Sequence, residues 1–361
     1  MSMDVLEAPA ATLQSAELFT LIVAEIRDET HDVKTFVFRP EGGAPRYAAG
    51  QSMTLKLAID GETLFRTFSL ASAPDTSGTI AMTIKAHAKG RATRWLHDEL
   101  VVGARLEGRP PKGRFTIDSR TTERLALVSA GSGASPLMAM LRHLAATAPE
   151  TDVHWLHAAR TPRDILFTRE LTALQARMPN LKVAMLASRP EPGWFGFAGR
   201  LGRRLVSVAL PDYGRREVFC CGPASFMEEA RLIHAAEGGA RDLFHVEHFG
   251  AVTPVTPLPV PADAPAGGYA VRLGDKHFTA KPGETLLQAA TRQTIVIPCG
   301  CASGMCGTCR VSLVEGSVEM RHEGGISTEE EAQGYILACS SCPRSDVTIA
   351  LRGAEAVPAG R

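Results

Sequence analysis

In the first hundred residues apolar side chains keep returning at every second position. Thr20–Ile26, Lys34–Arg39, Met53–Ile59 and Thr79–Lys85 alternate or are rich in Val, Ile, Thr and Phe, with turn residues between them. That period predicts an antiparallel β-barrel. From Arg124 to Phe249 the pattern changes to short apolar runs (Leu125–Ser129, Val153–Ala158, Lys182–Leu186, Glu217–Cys220), separated by helical spacing at Leu137–Ala146, Ile165–Ala176 and Ala224–Glu237. Strands alternating with helices predict an α/β domain on a parallel sheet. Further on, Tyr269–Leu273 and His277–Ala280 predict a hairpin, Thr285–Gln293 a helix and Asp346–Leu351 a closing strand. Between the second and third regions, Pro254, Pro257, Pro259, Pro261 and Pro265 favour extended backbone and mark a semi-rigid linker. The expected division is a tail 1–17, a barrel 18–120, an α/β domain 121–250, a linker 251–268, a third domain 269–353 and a tail 354–361.

A chain of 361 residues with 45% hydrophobic and 22% charged residues suits such a multidomain globular protein. No apolar run approaches the roughly 18 residues that cross a bilayer, so a membrane is not an expected partner. Lys+Arg and Asp+Glu both number 39, which leaves no overall field to hold a nucleic acid. Met1–Ser15 carries Asp4 and Glu7 and lacks the regions of a signal peptide, so the cytoplasm is the expected location. In a reducing compartment disulfides do not explain the eight cysteines, and six of these fall between 299 and 342.

Cys301, Cys306 and Cys309 stand as C-x4-C-x2-C and Cys339 follows thirty residues later, the plant-type spacing of a [2Fe-2S] cluster. Small residues between them let the loop wrap an inorganic core and aim amides at its sulfurs. A four-thiolate zinc site is the competitor, but structural zinc usually pairs two short knuckles. His245 and His248 have no third ligand to make another metal site. The loop Gly131, Ser132, Gly133 and Pro136 joins a buried strand to a helix start, where amides receive a pyrophosphate. Proline is compatible with a first helical turn. Cys221, Gly222 and Pro223 follow a later strand; the thiol is small and polarisable, and the glycine permits close approach of a nicotinamide. Arg160, Ser188 and Arg189 lie after successive strands, where a ribose or its 2′-phosphate would be read. An arginine suits NADPH, no acid marks NADH, and the nucleotide stays NADH or NADPH. Arg66 offers a cationic fork to a flavin phosphate or ring edge, and Ser69 a hydrogen bond near flavin N5. Between Lys85 and Arg124 basic residues outnumber acidic ones ten to five, which suits a flavin diphosphate or a solvated face. With no G-x-S-x-G and no H-E-x-x-H, hydrolase chemistry has no support.

The tetrad Arg66, Thr67, Phe68, Ser69 resembles the R-x-Y-S flavin signature of the ferredoxin-NADP reductase family, with Phe68 keeping the stacking face and losing a hydroxyl. Lys85–His97, Pro111–Phe115, Ala130–Pro136, His157–Pro162, Cys221–Pro223 and Glu247–Phe249 follow in the family's order. The resemblance implies a flavin barrel, a nicotinamide domain and a β-grasp ferredoxin domain, as in oxygenase reductase components such as those serving glycine betaine oxygenases or phenylacetyl-CoA epoxidation. It implies flavin contacts from Arg66, Thr67, Phe68, Ser69, Ile84, Lys85, Gly90, Arg91, Ala92, Thr93 and Phe249, and catalytic roles for Ser69, Cys221 and Glu247. It favours FAD over FMN, selects Cys339 over Cys342 as the fourth ligand, and leaves Cys299 a non-ligand. The function it implies is electron transfer from NAD(P)H through flavin and cluster to a Rieske-type monooxygenase or demethylase, the chain itself being a monomer. A hybrid-cluster protein reductase, a stand-alone NAD(P)H:ferredoxin-type reductase and a non-enzymatic redox sensor are the rivals. The intact Arg66–Ser69 and Cys221–Pro223 motifs favour turnover over sensing.

Overall fold

The alternating segments pair as their period requires, and the computed structural model shows how they close. It describes residues 18–74, 77–88, 90–249, 264–265, 267–299, 302, 304, 307, 309–322, 325–326 and 328–351. The expected tails, all but a few residues of the expected linker, Cys301 and Cys306 lie outside the described residues. Strands Phe19–Thr30 (β1), Val33–Pro40 (β2), Ser52–Ile59 (β3), Glu62–Ser69 (β4), Ile80–Lys85 (β5) and Arg105–Gly108 (β6) form an antiparallel sheet ordered β4-β3-β6-β1-β2-β5. A bridge from Leu70 to Met82 brings the two edges together into a barrel around Phe36, Phe38, Leu55 and Leu57. Helix Arg91–Asp98 (α1) adds Ala92 and Leu96 to that core. Strand β4 has no periodic signal of its own, but Asp60 and Gly61, both at positive φ (52° and 77°), make the two-residue hairpin turn that an Asp-Gly pair favours.

The second domain is a parallel sheet ordered β10-β9-β8-β7-β11-β12. Its strands are Arg124–Ala130 (β7), Asp152–Ala159 (β8), Leu181–Ala187 (β9), Phe197–Ala198 (β10), Glu217–Gly222 (β11) and Phe244–His248 (β12). Helices Ala134–Thr147 (α2) and Thr168–Arg177 (α3) cover one face; Arg203–Ala209 (α4) and Ala224–Ala236 (α5) cover the other. The helix expected from Ile165 starts only at Thr168, because Phe167 takes left-handed backbone (φ 58°) after a capped turn in which Thr161 and Asp164 bond one another. Val33, Ala49, Phe115 and Ile117 of the barrel side share the core of α2 and β7, so the two domains join through an apolar seam. The chain runs outward from β7 through β10 and returns to β11 on β7's other side. The crevice at the carboxyl ends of β7 and β11 is therefore the topological switch point, where such sheets bind ligands.

The third domain has strands Tyr269–Leu273 (β13), Lys276–Ala280 (β14), Arg310–Glu315 (β15), Tyr335–Leu337 (β17) and Val347–Leu351 (β19) in the order β14-β13-β19-β15-β17. A small ribbon pairs Val318–Met320 (β16) with Ser341–Pro343 (β18). Helix Leu286–Arg292 (α6) packs on the larger sheet, and Thr328–Ala332 (α7) precedes β17. Thr285 caps α6 by accepting from the Gln288 amide at 3.2 Å, while Gln288 accepts from the Thr285 amide at 2.9 Å. Among the described residues, every member of this domain's core lies after 268.

His157 on β8 is fully buried. Its Nε2 accepts from the Leu166 amide at 3.3 Å, so its Nδ1 donates to Ser129 Oγ at 2.8 Å, and the neutral ring satisfies both contacts. Burial pushes the His157 imidazole down to about 4, and burial followed by the nearby Arg216 does the same for His154. The unfolded chain takes up these protons near pH ~6.5 and the folded chain only near 4, so the stabilisation is complete above about 6.5 and is lost as pH falls towards 4. For His157 the full loss is about 3 kcal/mol. Urea midpoints of the first two domains should fall steeply across this window, and His157→Gln should flatten the slope; an equally steep fall in the variant would refute the assignment.

Candidate active site and cluster site

Strand β4 ends at the seam, and its last residue is the first component of the site. Ser69 is 5% exposed and its Oγ donates to Glu247 Oε2 at 2.6 Å. Glu247 lies on β12 in register with Cys221 on β11, which in turn is in register with Ser129 on β7. The fold thus brings Ser69, Cys221 and Glu247 together at the switch point, from positions 69, 221 and 247. Burial, then Glu247 and Cys220, push the Cys221 thiol well above its usual range. It stays neutral at physiological pH and suits packing against a ring, not attack on one.

The nucleotide loop fits against this point because it has no side chain there. A Cβ on Gly133 would lie 2.2 Å from the Cys221 carbonyl oxygen, and one on Gly222 would touch Ala130 Cβ at 3.0 Å. Gly131 has φ of 55°, and Ser132 completes the turn into α2, whose third residue is Pro136. Pro223 starts α5 beside them. Arg160, Ser188 and Arg189 gather at the same edge of the sheet but past β8 and β9, where the Arg189 amide donates to the Arg160 carbonyl at 2.7 Å and Ser188 Oγ to the same carbonyl at 3.3 Å. They are exposed. From β11 to β9 is three strand spacings, about 14 Å, a distance an extended dinucleotide covers.

On the barrel, Arg66 is exposed with Nη1 donating to the Phe65 carbonyl at 2.8 Å; Thr67 and Thr54 share a hydroxyl contact at 2.8 Å, and Phe68 packs on the barrel core. Ile84 is buried at the end of β5. Lys85 turns its ammonium to Asp32 at 2.7 Å, and Arg91 commits its guanidinium to Glu62, Asp60 and the Ile59 carbonyl. Those two side chains are committed to neighbouring carboxylates, and the Thr93 hydroxyl donates to the Gly90 carbonyl at 3.2 Å, which leaves backbone amides as the donors around α1's start. A Cβ at Gly90 would meet Thr93 Oγ1 at 2.4 Å and His87 Cβ at 2.9 Å, so a larger residue would have to displace the Thr93 side chain. Ala92 is buried in the first turn, and Phe249, 41% exposed, follows β12. Sequence reasoning missed Ser129, Ser135, Arg142 and Glu170; their only signal is register and packing.

In the third domain Cys309 and Cys339 are 2% and 3% exposed. The Cys339 amide donates to Cys309 Sγ at 3.4 Å and the Gly304 amide to Cys339 Sγ at 3.2 Å. Ala302, Gly304 and Gly307 hold left-handed backbone, which turns amides inward; a Cβ at Gly304 would meet His322 Cα at 2.9 Å. Buried thiols with amides aimed at them suit an iron-sulfur cluster. Cys342 points elsewhere, its Sγ donating to the Gly283 carbonyl at 3.5 Å. Cys299 is half-buried with its thiol against Cys309.

Comparison with known proteins agrees with this division. Family models match at 20–117 (oxidoreductase FAD-binding domain), 127–232 (oxidoreductase NAD-binding domain) and 271–344 (2Fe-2S iron-sulfur cluster binding domain). The glycine betaine monooxygenase reductase subunit of Chromohalobacter salexigens is 36% identical over 346 residues, covering 90% of this chain and 93% of its own. The stachydrine N-demethylase reductase subunit of Rhizobium meliloti is 34% identical over 328 residues, covering 89% and 93%. Phthalate dioxygenase reductase shares the fold with a TM-score of 0.58 at 23% identity, covering 92% of this chain and 98% of its own. Fold and matching domains define an oxidoreductase that uses FAD, a nicotinamide nucleotide and a [2Fe-2S] cluster. The chain belongs to the reductase family that includes the glycine betaine monooxygenase reductase subunits.

Gly133→Ala tests the close approach. With its Cβ 2.2 Å from backbone, the nucleotide loop must shift, so flavin content should be retained while flavin reduction by NAD(P)H slows roughly tenfold or more. Unchanged reduction kinetics would show that the loop does not position the nucleotide.

Proposed function

We propose that this reductase carries electrons from NAD(P)H to a separate oxygenase, a monooxygenase or demethylase of the Rieske type. The observation that carries the reading is the Ser69–Glu247 contact beside Cys221, which joins the FAD-binding domain to the NAD-binding domain at the switch point. Bound FAD accepts two electrons together as hydride and releases them singly, which a one-electron [2Fe-2S] centre requires. Ser69 Oγ, its proton donated to Glu247, would face the flavin N5 edge with its free lone pairs, Cys221 would pack under the nicotinamide, and Glu247 fixes the Ser69 hydroxyl. Phe249, Phe68 and Arg66 border the flavin ring, with Thr67, Ile84 and Lys85 on the flanking strands. Gly90, Arg91, Ala92 and Thr93 offer amides to its diphosphate. Gly131, Ser132, Gly133 and Pro136 with Gly222 and Pro223 cradle the nicotinamide nucleotide, and Arg160, Ser188 and Arg189 read its adenosine end. Cys301, Cys306, Cys309 and Cys339 ligate the cluster, with Cys299 and Cys342 outside the ligand set. The domains extend over 18–120, 121–250 and 269–353, joined by the linker 251–268. The protein works in the cytoplasm as a monomer, with the oxygenase and neither membrane nor nucleic acid as partner. Balanced charge supports the absence of a nucleic-acid partner, and among the described residues no helix is long and apolar enough to cross a membrane.

A chain cut near Thr253 keeps every flavin and nucleotide motif and loses the ferredoxin core. It should still reduce ferricyanide with NAD(P)H and largely fail with a protein acceptor that takes electrons from the cluster; full activity with that acceptor would make the cluster a side branch. In the whole protein Cys339→Ser should lose the cluster's visible bands and iron, whereas Cys342→Ser and Cys299→Ser should keep most of both. Loss of iron in Cys342→Ser with retention in Cys339→Ser would reverse the fourth ligand.

A further inference from the structure

Arg142 lies on α2, the helix that the nucleotide loop opens, and its guanidinium leaves its own domain. Nε and Nη2 donate to the two oxygens of Glu170 at 2.7 and 2.6 Å, and Nη1 donates to the Ala71 carbonyl at 2.6 Å. The Phe167 ring lies beneath it, 5.5 Å from centroid to Cζ, held by the left-handed backbone that starts α3. Ala71 is fully buried and only two residues beyond Ser69. On the barrel side residues 69–71 are held by backbone bonds from the Leu70 amide to Gln51 (2.9 Å) and the Ala71 amide to Ala81 (2.7 Å). On the other side, among the described residues, three hydrogen bonds join them to the α/β domain: Ser69 Oγ to Glu247, Ser135 Oγ to the Ser69 carbonyl at 3.4 Å, and Arg142 to the Ala71 carbonyl. Two of the three come from α2, and the Arg142 bond is charge-assisted, while the forked pair with Glu170 fixes its direction.

We infer that Arg142 is a positioning residue for hydride transfer, pinning the end of β4 to α2 so that the flavin-bearing and nicotinamide-bearing domains keep one register. The inference rests on the reading that Ser69 and Cys221 face the two reacting rings. Hydride transfer requires its atoms within about 3.5 Å, and an error near 1 Å costs up to about a hundredfold in rate. The flavin and the nicotinamide are held on different domains, so that distance is set at the seam. The packed residues Val33, Ala49, Phe115 and Ile117 hold the domains together but leave sliding open, since apolar contact is non-directional. A directional bond next to Ser69 removes that freedom.

The test is anaerobic stopped-flow reduction of the full-length holoenzyme, with Arg142→Met, Arg142→Lys and Glu170→Gln. In Arg142→Met the limiting rate of flavin reduction should fall roughly ten- to a hundredfold while the Kd for NAD(P)H stays within about twofold. Arg142→Lys should recover part of the rate, and Glu170→Gln should slow it in the same direction. Independently of activity, amide hydrogen exchange across residues 66–74 should quicken in the variants. A limiting rate equal to the parent's, even with a lowered melting temperature, would make Arg142 a brace for stability and overturn the inference; if Arg142→Met does not fold, Glu170→Gln decides in the same way. Ser69→Ala run in parallel separates the two readings. No effect there removes the assignment of Ser69, whereas slow Ser69→Ala beside unaffected Arg142 variants removes only the role of Arg142.

Discussion

Two domains must hold two rings within hydride-transfer distance, and the seam between them is the constraint on which the rest of the structure depends. The barrel carries β4 to its edge, and the parallel sheet offers its switch point to the same place. Apolar contact through Val33, Ala49, Phe115 and Ile117 supplies the area. Polar contacts supply the direction. Glu217 shows the same logic at the opposite end of the sheet: fully buried at the start of β11, it accepts from the Thr121 and Thr122 amides at 2.7 and 3.0 Å and contacts His245 Nε2 at 2.8 Å. The connector between domains is thus tied to β11, whose other end carries Cys221. A buried carboxylate is tolerable only with such a set of donors.

How much of this architecture is legible in the amino-acid sequence depends on whether the information is local. The cluster spacing and the Gly131–Pro136 loop are local, since a few residues at fixed offsets must wrap or cradle one group, and they read directly. The parallel sheet is legible because strands buried on both faces give unbroken apolar runs. Strand β4 is hidden by its mixed surface: Arg66 and Thr67 break the alternation, and the Asp60-Gly61 turn is the signal to follow. The delayed start of α3 is hidden for a different reason. Apolar spacing continues through Ile165, Leu166 and Phe167, but these side chains are buried by a turn that Thr161 and Asp164 cap, and tertiary packing overrides helical periodicity there. Contacts such as Arg142 to Ala71 join residues seventy-one positions apart, and no pattern along the chain encodes them.

The side chains of Lys85 and Arg91 show what a basic excess does and does not mean. Counting charge between Lys85 and Arg124 points to an anionic ligand, yet both of these cations are matched by carboxylates of neighbouring turns, Asp32 for one and Glu62 with Asp60 for the other. Paired charges contribute little net field at a distance. A diphosphate at α1 would then be met mainly by fixed amides, which need no reorganisation when the anion arrives, since the Thr93 hydroxyl already donates to the Gly90 carbonyl at 3.2 Å.

The ferredoxin domain obeys a different physics from the other two. Its core, from Val271 to Ile349, includes Cys309 and Cys339 among its buried members, so these two thiols are part of the packing that folds the domain. Left-handed backbone at Gly304 and Gly307 brings no side chain to bury and costs conformational freedom in an unliganded loop. A bound cluster would offset that cost and so couple cluster binding to local folding. Gly133 and Gly222 differ: they relieve contact with backbone already fixed by sheet and helix, as at Gly133 against Cys221. Loss of the cluster should therefore loosen the third domain and leave the seam, with its own core and its own polar contacts, intact.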